Sequence, residues 1–270
     1  MLCEFDYLAP RNLPELFDAL AASGPDARIL AGGTDLLVNV RAGLVTPKTV
    51  IDIKKIPGLQ GLEYNDKTGL EIGAAVTVNQ IAADPRVQKH YSLLVACAES
   101  LASYQLRNRA TVVGNIVNAS PCADMAPALL CYEAQVVITS KQGSRTVPIR
   151  EFFTGVKKTV LVPGELVEKI LVPATYAGAS GSYEKLKRIK GHDLGIVGVA
   201  MLKKDGLVRM AVSSAAPTPI IVKDCKASDS AEVLAKAALE AIKPIDDVRS
   251  SKEYREFMVQ VYVKRLLERV

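Results

Sequence analysis

Ile29-Leu30-Ala31-Gly32-Gly33-Thr34-Asp35-Leu36 is the first stretch whose residue types could do chemistry. The short run over 27–30, apolar apart from Arg28, leads through Ala31 into two glycines just before a segment able to start a helix. Glycine lifts the Cβ barrier to tight backbone conformations, so successive N–H groups can converge on one point. Converging amides beside a helix start form a cradle for phosphate. The pattern is not a mononucleotide loop, which ends in Gly-Lys-Ser/Thr, nor the Gly-x-Gly-x-x-Gly dinucleotide fingerprint. Taken alone, such a pair more often marks only a turn.

The second stretch is Thr111-Val112-Val113-Gly114-Asn115-Ile116, followed by Asn118-Ala119-Ser120-Pro121-Cys122-Ala123-Asp124. Small and polar residues here would let a ligand come close, and Asp124 could accept hydrogen bonds from ribose hydroxyls or an amine. The competing reading is a polar loop in which Asp124 caps the helix that follows. Neither His90 nor His192 falls in these stretches, and both read as structural or surface residues. No catalytic acid or base and no metal ligand set is expected. The five cysteines are scattered without a Cys-x-x-Cys pair, which argues against a zinc site or a secreted disulfide framework.

The elements that must position these stretches follow from periodicity. Residues 12–22 have helical spacing with Pro14 in the first turn, 27–30 and 49–53 read as strands, and 35–41 as a helix start. They predict a small α/β lobe over about 1–57. A hairpin over 62–65 and 70–73, helices over 77–83 and 92–102, a polar break over 104–109, a helix over 128–132 and strands at 135–140 and 166–172 predict a larger α+β lobe, 58–173. Residues 174–181 are small and read as a flexible linker. Strands at 195–202, 207–213 and 220–222, then helices over 231–242 and 252–269, predict a C-terminal sheet with helices on one side, over 174–270. The fold class is therefore α+β, a two-lobed domain followed by a C-terminal domain.

Composition narrows the function classes. With 270 residues and 49% hydrophobic content, the chain can bury a substantial core. A net charge of +5 is mild, and the cluster Lys185, Lys187, Arg188 and Lys190 reads as a solvated edge, so nucleic-acid binding is not expected. No apolar run approaches the ~18 residues of a membrane span. The chain reads as cytoplasmic.

Beyond the two glycine stretches, AGGTDLL from Ala31, VIDIKKIPGL from Val50, IGAAVTVNQI from Ile72 and RNRATVVGNIVNASPCADMAPALL from Arg107 occur in order. EFFTGVKKTVL from Glu151, YEKLKRIKGHDLGIVGVA from Tyr183 and SSKEYREFMVQVYVKRLL from Ser250 continue the series. Together they resemble the FAD-binding (medium) subunit of the molybdenum hydroxylases, the family of xanthine, aerobic carbon-monoxide and nicotinate dehydrogenases. The resemblance implies that Ile29, Leu30, Ala31, Gly32, Gly33, Thr34, Asp35 and Leu36 wrap the FAD diphosphate with backbone amides. It implies that Thr111, Val112, Gly114 and Asn115 form the facing wall, that Asp124 holds the adenosine end, and that Leu101 lies near the flavin. Val167 falls on the returning segment, and Lys185 matches a lysine at the flavin edge.

The same resemblance implies an oxidoreductase subunit whose partners are a 2Fe–2S small subunit and a molybdenum-cofactor large subunit, in a dimer of heterotrimers. Electrons from the 2Fe–2S subunit would pass through FAD to an acceptor such as NAD. A self-contained FAD-dependent oxidase and a non-redox assembly subunit are the alternatives. One departure bears on the site: the family usually shows Gly-Gly before Asn115, and here the first of the pair is Val113. A β-branched residue there would be strained if the position required positive φ.

Overall fold

The computed structural model describes residues 3–270; Met1 and Leu2, at the start of the expected first lobe, lie outside the described residues. Asn12 caps helix α1 (Leu13–Ser23) by accepting the Glu15 N–H at 2.9 Å, and Pro14 occupies the first turn. The helix lays Leu16 and Phe17 into the core. Three parallel strands run in the order β1 (Asp6–Leu8), β3 (Thr49–Asp52), β2 (Ala27–Leu30), with α2 (Leu36–Arg41) between β2 and β3. All four residues of β3 are buried, as the central strand of a parallel sheet requires. Strand β1 is the one strand of this lobe, among the described residues, that the sequence reading omits. It is only three residues long and wholly exposed, so it carries no alternation to detect.

The second lobe is an antiparallel sheet in the order β4 (Leu62–Asn65), β5 (Gly69–Gly73), β10 (Leu166–Val172), β6 (Gln135–Ser140), β7 (Gly143–Pro148). Short helices cover it: α3 (Val78–Ala83), α4 (Pro85–His90), α5 (Ser92–Ser100), α6 (Tyr104–Arg107), α7 (Val112–Val117), α8 (Ala126–Cys131) and α9 (Ile149–Phe152). Thr77 and Gln80 form a reciprocal capping box at the start of α3. The expected break over 104–109 is instead the one-turn helix α6, capped by Ser103. A small hairpin, β8 (Phe153–Gly155) with β9 (Lys158–Thr159), stands outside the sheet.

The third sheet runs β11 (Ser180–Leu186), β12 (Val197–Lys204), β13 (Leu207–Ser213), β14 (Ile220–Ile221), with β15 (Cys225–Lys226) beside the start of β13. Strand alternation divides its side chains between two cores. Val197, Val199 and Met201 pack with helices α10 (Ala231–Ala241) and α11 (Lys252–Leu267), while Ala200, Leu202 and Ala211 join α5 and α8 in the larger core. The domain's own helices do lie on one side, as expected, and the other side is buried against the second lobe. Arg255 of α11, itself buried, donates to the carbonyls of Ile196 and Ser214 at 2.6 and 2.8 Å and pairs with Asp247 at 2.7 Å.

Residues 174–181 do not behave as a free linker. Gly178 donates to the His90 carbonyl at 2.8 Å, Ala179 is buried, and β11 already begins at Ser180. At Gly181, helix α5 comes so close that an added Cβ would lie 2.8 Å from Leu93 and 3.0 Å from Leu202. Gly181→Val should therefore wedge the two parts of the chain apart and cost about 1–3 kcal/mol. A lowered urea midpoint with little change in slope would show it.

Candidate functional site

The glycine stretch between β2 and α2 meets the 109–115 stretch edge to edge. A Cβ built on Gly32 would run into the Arg109 carbonyl, so only glycine permits this approach. Gly33 follows at φ +76°, a conformation open to glycine without strain. Across from it, the Val78 N–H donates to the Ala110 carbonyl at 2.9 Å and the Val112 N–H to the Val76 carbonyl at 3.2 Å. These two bonds dock α7 beside α3. The Thr111 hydroxyl accepts the Gly114 N–H at 3.0 Å and caps α7.

Between the two walls lies a cleft of about 620 Å³, within the range of small-molecule and cofactor sites. Ile29, Ala31, Gly32, Gly33, Thr34, Asp35 and Leu36 line it from the first stretch. Thr111, Gly114 and Asn115 line it from the second, and Leu101 and Val167 also take part. Among the described residues, none accepts a hydrogen bond from the backbone N–H of Gly32, Gly33, Thr34 or Asp35. Four successive donors without an internal acceptor, facing a cleft, match the chemistry of an anionic group.

Four of the expected site residues stand elsewhere. Leu30 is the last residue of β2, and Val112 is fully buried in the core at the start of α7. Asp124 and Lys185 do not line the cleft; they pair with each other at 2.9 Å, and the Tyr183 hydroxyl donates to Asp124 at 3.2 Å. The Lys185 side chain is only 3% exposed, so it is a buried ion-pair partner and not part of a solvated basic edge. Burial pushes the Asp124 carboxyl above its ordinary value, against the pull of Lys185, and pushes the Tyr183 phenol well up, which keeps it a donor. The neighbouring loop closes on itself through Arg188 and Asp193, 2.8 Å apart, and none of residues 187–195 lines the cleft.

Val113 lines the cleft from within α7 and has no positive φ. The backbone strain that the Gly-Gly pattern raised does not arise, because the position is helical.

Residues beyond the expected set complete the cleft. Asn118 donates to Asp35 at 2.8 Å and accepts from Lys157 of the β8–β9 turn at 2.8 Å, joining three segments at the cleft. Leu161 and Glu165 line it as well, and Glu165 is held by a paired contact with Arg145 at 2.8 and 2.9 Å. Their segment had one sequence signal, the family-like EFFTGVKKTVL run, which does not say that the hairpin folds back over the glycine turn. Behind the turn, Asp52 accepts the Tyr7 hydroxyl at 2.6 Å and pairs with Lys54 at 2.8 Å. The Lys54 ammonium donates onward to the Ala31 carbonyl at 3.0 Å. Burial alone would raise the Asp52 carboxyl, but hydrogen bonds from Lys54 and Tyr7 outweigh it and hold the group below its ordinary value.

Residues 3–175 match the family described as the FAD binding domain in molybdopterin dehydrogenase, and residues 181–270 match the CO dehydrogenase flavoprotein C-terminal domain. The chain belongs to the FAD-binding medium subunits of the molybdenum hydroxylases. It is 33% identical to the carbon monoxide dehydrogenase medium chain of Hydrogenophaga pseudoflava, over 97% of this chain and 96% of that one. It is 32% identical to a putative xanthine dehydrogenase FAD-binding subunit of Escherichia coli, with the same coverage. The solved carbon monoxide dehydrogenase from Hydrogenophaga pseudoflava superposes with a TM-score of 0.90, covering 100% of this chain and 98% of that one. The reconstituted CO dehydrogenase from Oligotropha carboxidovorans gives 0.93 at 28% identity and the same coverage. As a member of this flavoprotein family the subunit is an oxidoreductase component with FAD as its cofactor, and the orphan amides of residues 32–35 fit the cofactor's diphosphate.

Two tests follow from the geometry. Gly32→Ala should force the walls apart and cut FAD retention at least tenfold, read from the flavin content of folded protein; a tenfold loss corresponds to about 1.4 kcal/mol. Asp52→Asn should cost about 2 kcal/mol at neutral pH, because a charged acceptor of three donors, the Tyr7 hydroxyl and the Lys54 ammonium and backbone N–H, becomes neutral and keeps only one accepting oxygen. With its folded value lowered, Asp52 contributes fully above the unfolded value of about 3.9, and the contribution is lost as pH falls through the folded value. The urea-unfolding gap between wild type and variant should hold down to about pH 5 and narrow below about pH 4.

Proposed function

We propose that this chain is the electron-transfer subunit of a molybdenum hydroxylase complex, taking electrons from a 2Fe–2S small subunit and delivering them to an acceptor such as NAD. The observation that carries the reading is the row of four unpartnered amides at residues 32–35, facing a cleft of cofactor size. These amides would hold the FAD diphosphate. Thr111, Gly114 and Asn115 would bound it on the facing side, and Leu101 and Val167 would pack on the flavin portion. Asp124 and Lys185 serve this site from behind: as a buried pair on the loop after α7 and on β11, they fix the third sheet against that loop. Bound FAD supplies a ring that takes up electrons singly and gives them up in pairs.

The chain's own work is therefore to bind, orient and exclude water. No side chain in the cleft is needed as a general acid or base. The medium-chain names of the relatives describe parts of larger assemblies, which supports partnership with further subunits. The family resemblance makes these a 2Fe–2S subunit and a molybdenum-bearing large subunit, in a dimer of heterotrimers. Among the described residues, no helix is long and apolar enough to cross a membrane.

The test is the visible spectrum of the purified chain titrated with FAD and then with NADH without oxygen. Flavin bands at one FAD per chain that bleach with NADH are the expected outcome. Bands that persist under NADH would move the acceptor to a quinone, ferredoxin or oxygen. Folded protein that takes up no FAD would overturn the reading in favour of an assembly subunit.

A further inference from the structure

The Ala31 carbonyl and the Gly32 N–H belong to one peptide unit. That unit is planar and trans, so its C=O and N–H point in opposite directions and cannot be re-aimed independently. Gly32 N–H is the first of the four unpartnered amides, and its peptide's carbonyl is held by the Lys54 ammonium at 3.0 Å. Lys54 does not itself line the cleft.

We propose that Lys54 is a positioning residue for the phosphate cradle: by gripping the Ala31 carbonyl behind the turn, it aims the Gly32 N–H into the cleft and strengthens it as a donor. The inference rests on the reading of residues 32–35 as the diphosphate site. A cation bonded to the carbonyl polarises the whole amide, and the N–H on its far end becomes a better donor to an anion.

The ammonium is well placed to hold that geometry. Asp52 pairs with it at 2.8 Å and accepts the Lys54 backbone N–H at 2.9 Å, while the Tyr7 hydroxyl, reaching across from β1, fixes the other carboxylate oxygen at 2.6 Å. One residue earlier on each segment, the Ile53 N–H donates to the Leu30 carbonyl at 3.1 Å. Residues 53 and 54 thus continue the parallel pairing of β3 and β2 past its end, with a side-chain cation taking the place of the next backbone donor. The Cα of Gly32 also abuts the Arg109 carbonyl, in the direction a side chain would take.

The experiment compares wild type, Lys54→Met and Lys54→Arg as full-length chains, measuring the dissociation constants of FAD and ADP directly and of adenosine by competition. Lys54→Met should weaken FAD and ADP by roughly tenfold, as expected for losing one charge-assisted contact. Adenosine, which has no phosphate, should change by less than about twofold, and Lys54→Arg should restore most of the loss. If Lys54→Met binds FAD as wild type does, the inference falls while the reading of the cleft stands. Equal weakening of FAD, ADP and adenosine would also overturn it, since Lys54 would then only support the fold. A wild-type chain that binds neither FAD nor ADP would remove the reading of the cleft and the inference with it. Should Lys54→Met not fold, the double variant Asp52→Asn/Lys54→Met leaves no uncompensated carboxylate and carries the same comparison.

Discussion

Gly32 rests against the Arg109 carbonyl with no room between them for a methyl group, and the cleft exists because of that contact. It sets how near the first lobe's turn comes to the wall built from 110–115. On one side the turn is tied to β3 through Leu30 and Ala31; on the other, α7 is tied to α3 through Val76 and Ala110. The amides of 32–35 thus sit in a short turn anchored at both ends by regular structure, β2 before it and α2 after it. Binding groups built on such elements are positioned more tightly than groups on free loops.

The same economy appears where polar groups are buried. Asp52 with Lys54, Asp124 with Lys185, and Arg255 with Asp247 are charges taken wholly or largely out of water, and each has a partner within 3 Å. A buried ion pair adds little net stability, but breaking one leaves an uncompensated charge, so each pair strongly favours one relative placement of its segments. Asp52 fixes the turn to the first sheet. Asp124 fixes the loop after α7 to β11. Arg255 fixes the last helix to the ends of β12 and β13, and Ser214, which it holds, donates in turn to the Pro121 carbonyl. The C-terminal domain is thereby coupled to the loop that follows the second wall of the cleft.

Strand β10 closes the cleft from the second sheet. Leu166 and Val167, in regular register with Thr139 and Ile138 of β6, both line it. The pairing slips only after them, between Val167 and Lys169.

Much of this was legible in the chain itself. Local chemistry dictated Pro14 in the first turn of α1, the Thr77 cap, the hairpin over 62–73 and the paired glycines at 32–33, because each depends on residues within a few positions of one another. The ordered family-like segments carried the FAD-binding fold and most of the cleft's lining residues. What the sequence could not decide were relations between distant segments. Nothing local distinguishes Lys185, buried against Asp124, from Lys187 and Lys190 beside it, because burial of a charge depends on which carboxylate the fold delivers to it. Nor does anything local reveal that residues 174–181 are anchored, that the third sheet is covered on both faces, or that Lys54 reaches the Ala31 carbonyl. Helix caps and turns are short-range and can be read along the chain; the pairing of charges and the meeting of walls are long-range, and only the tertiary structure brings them together.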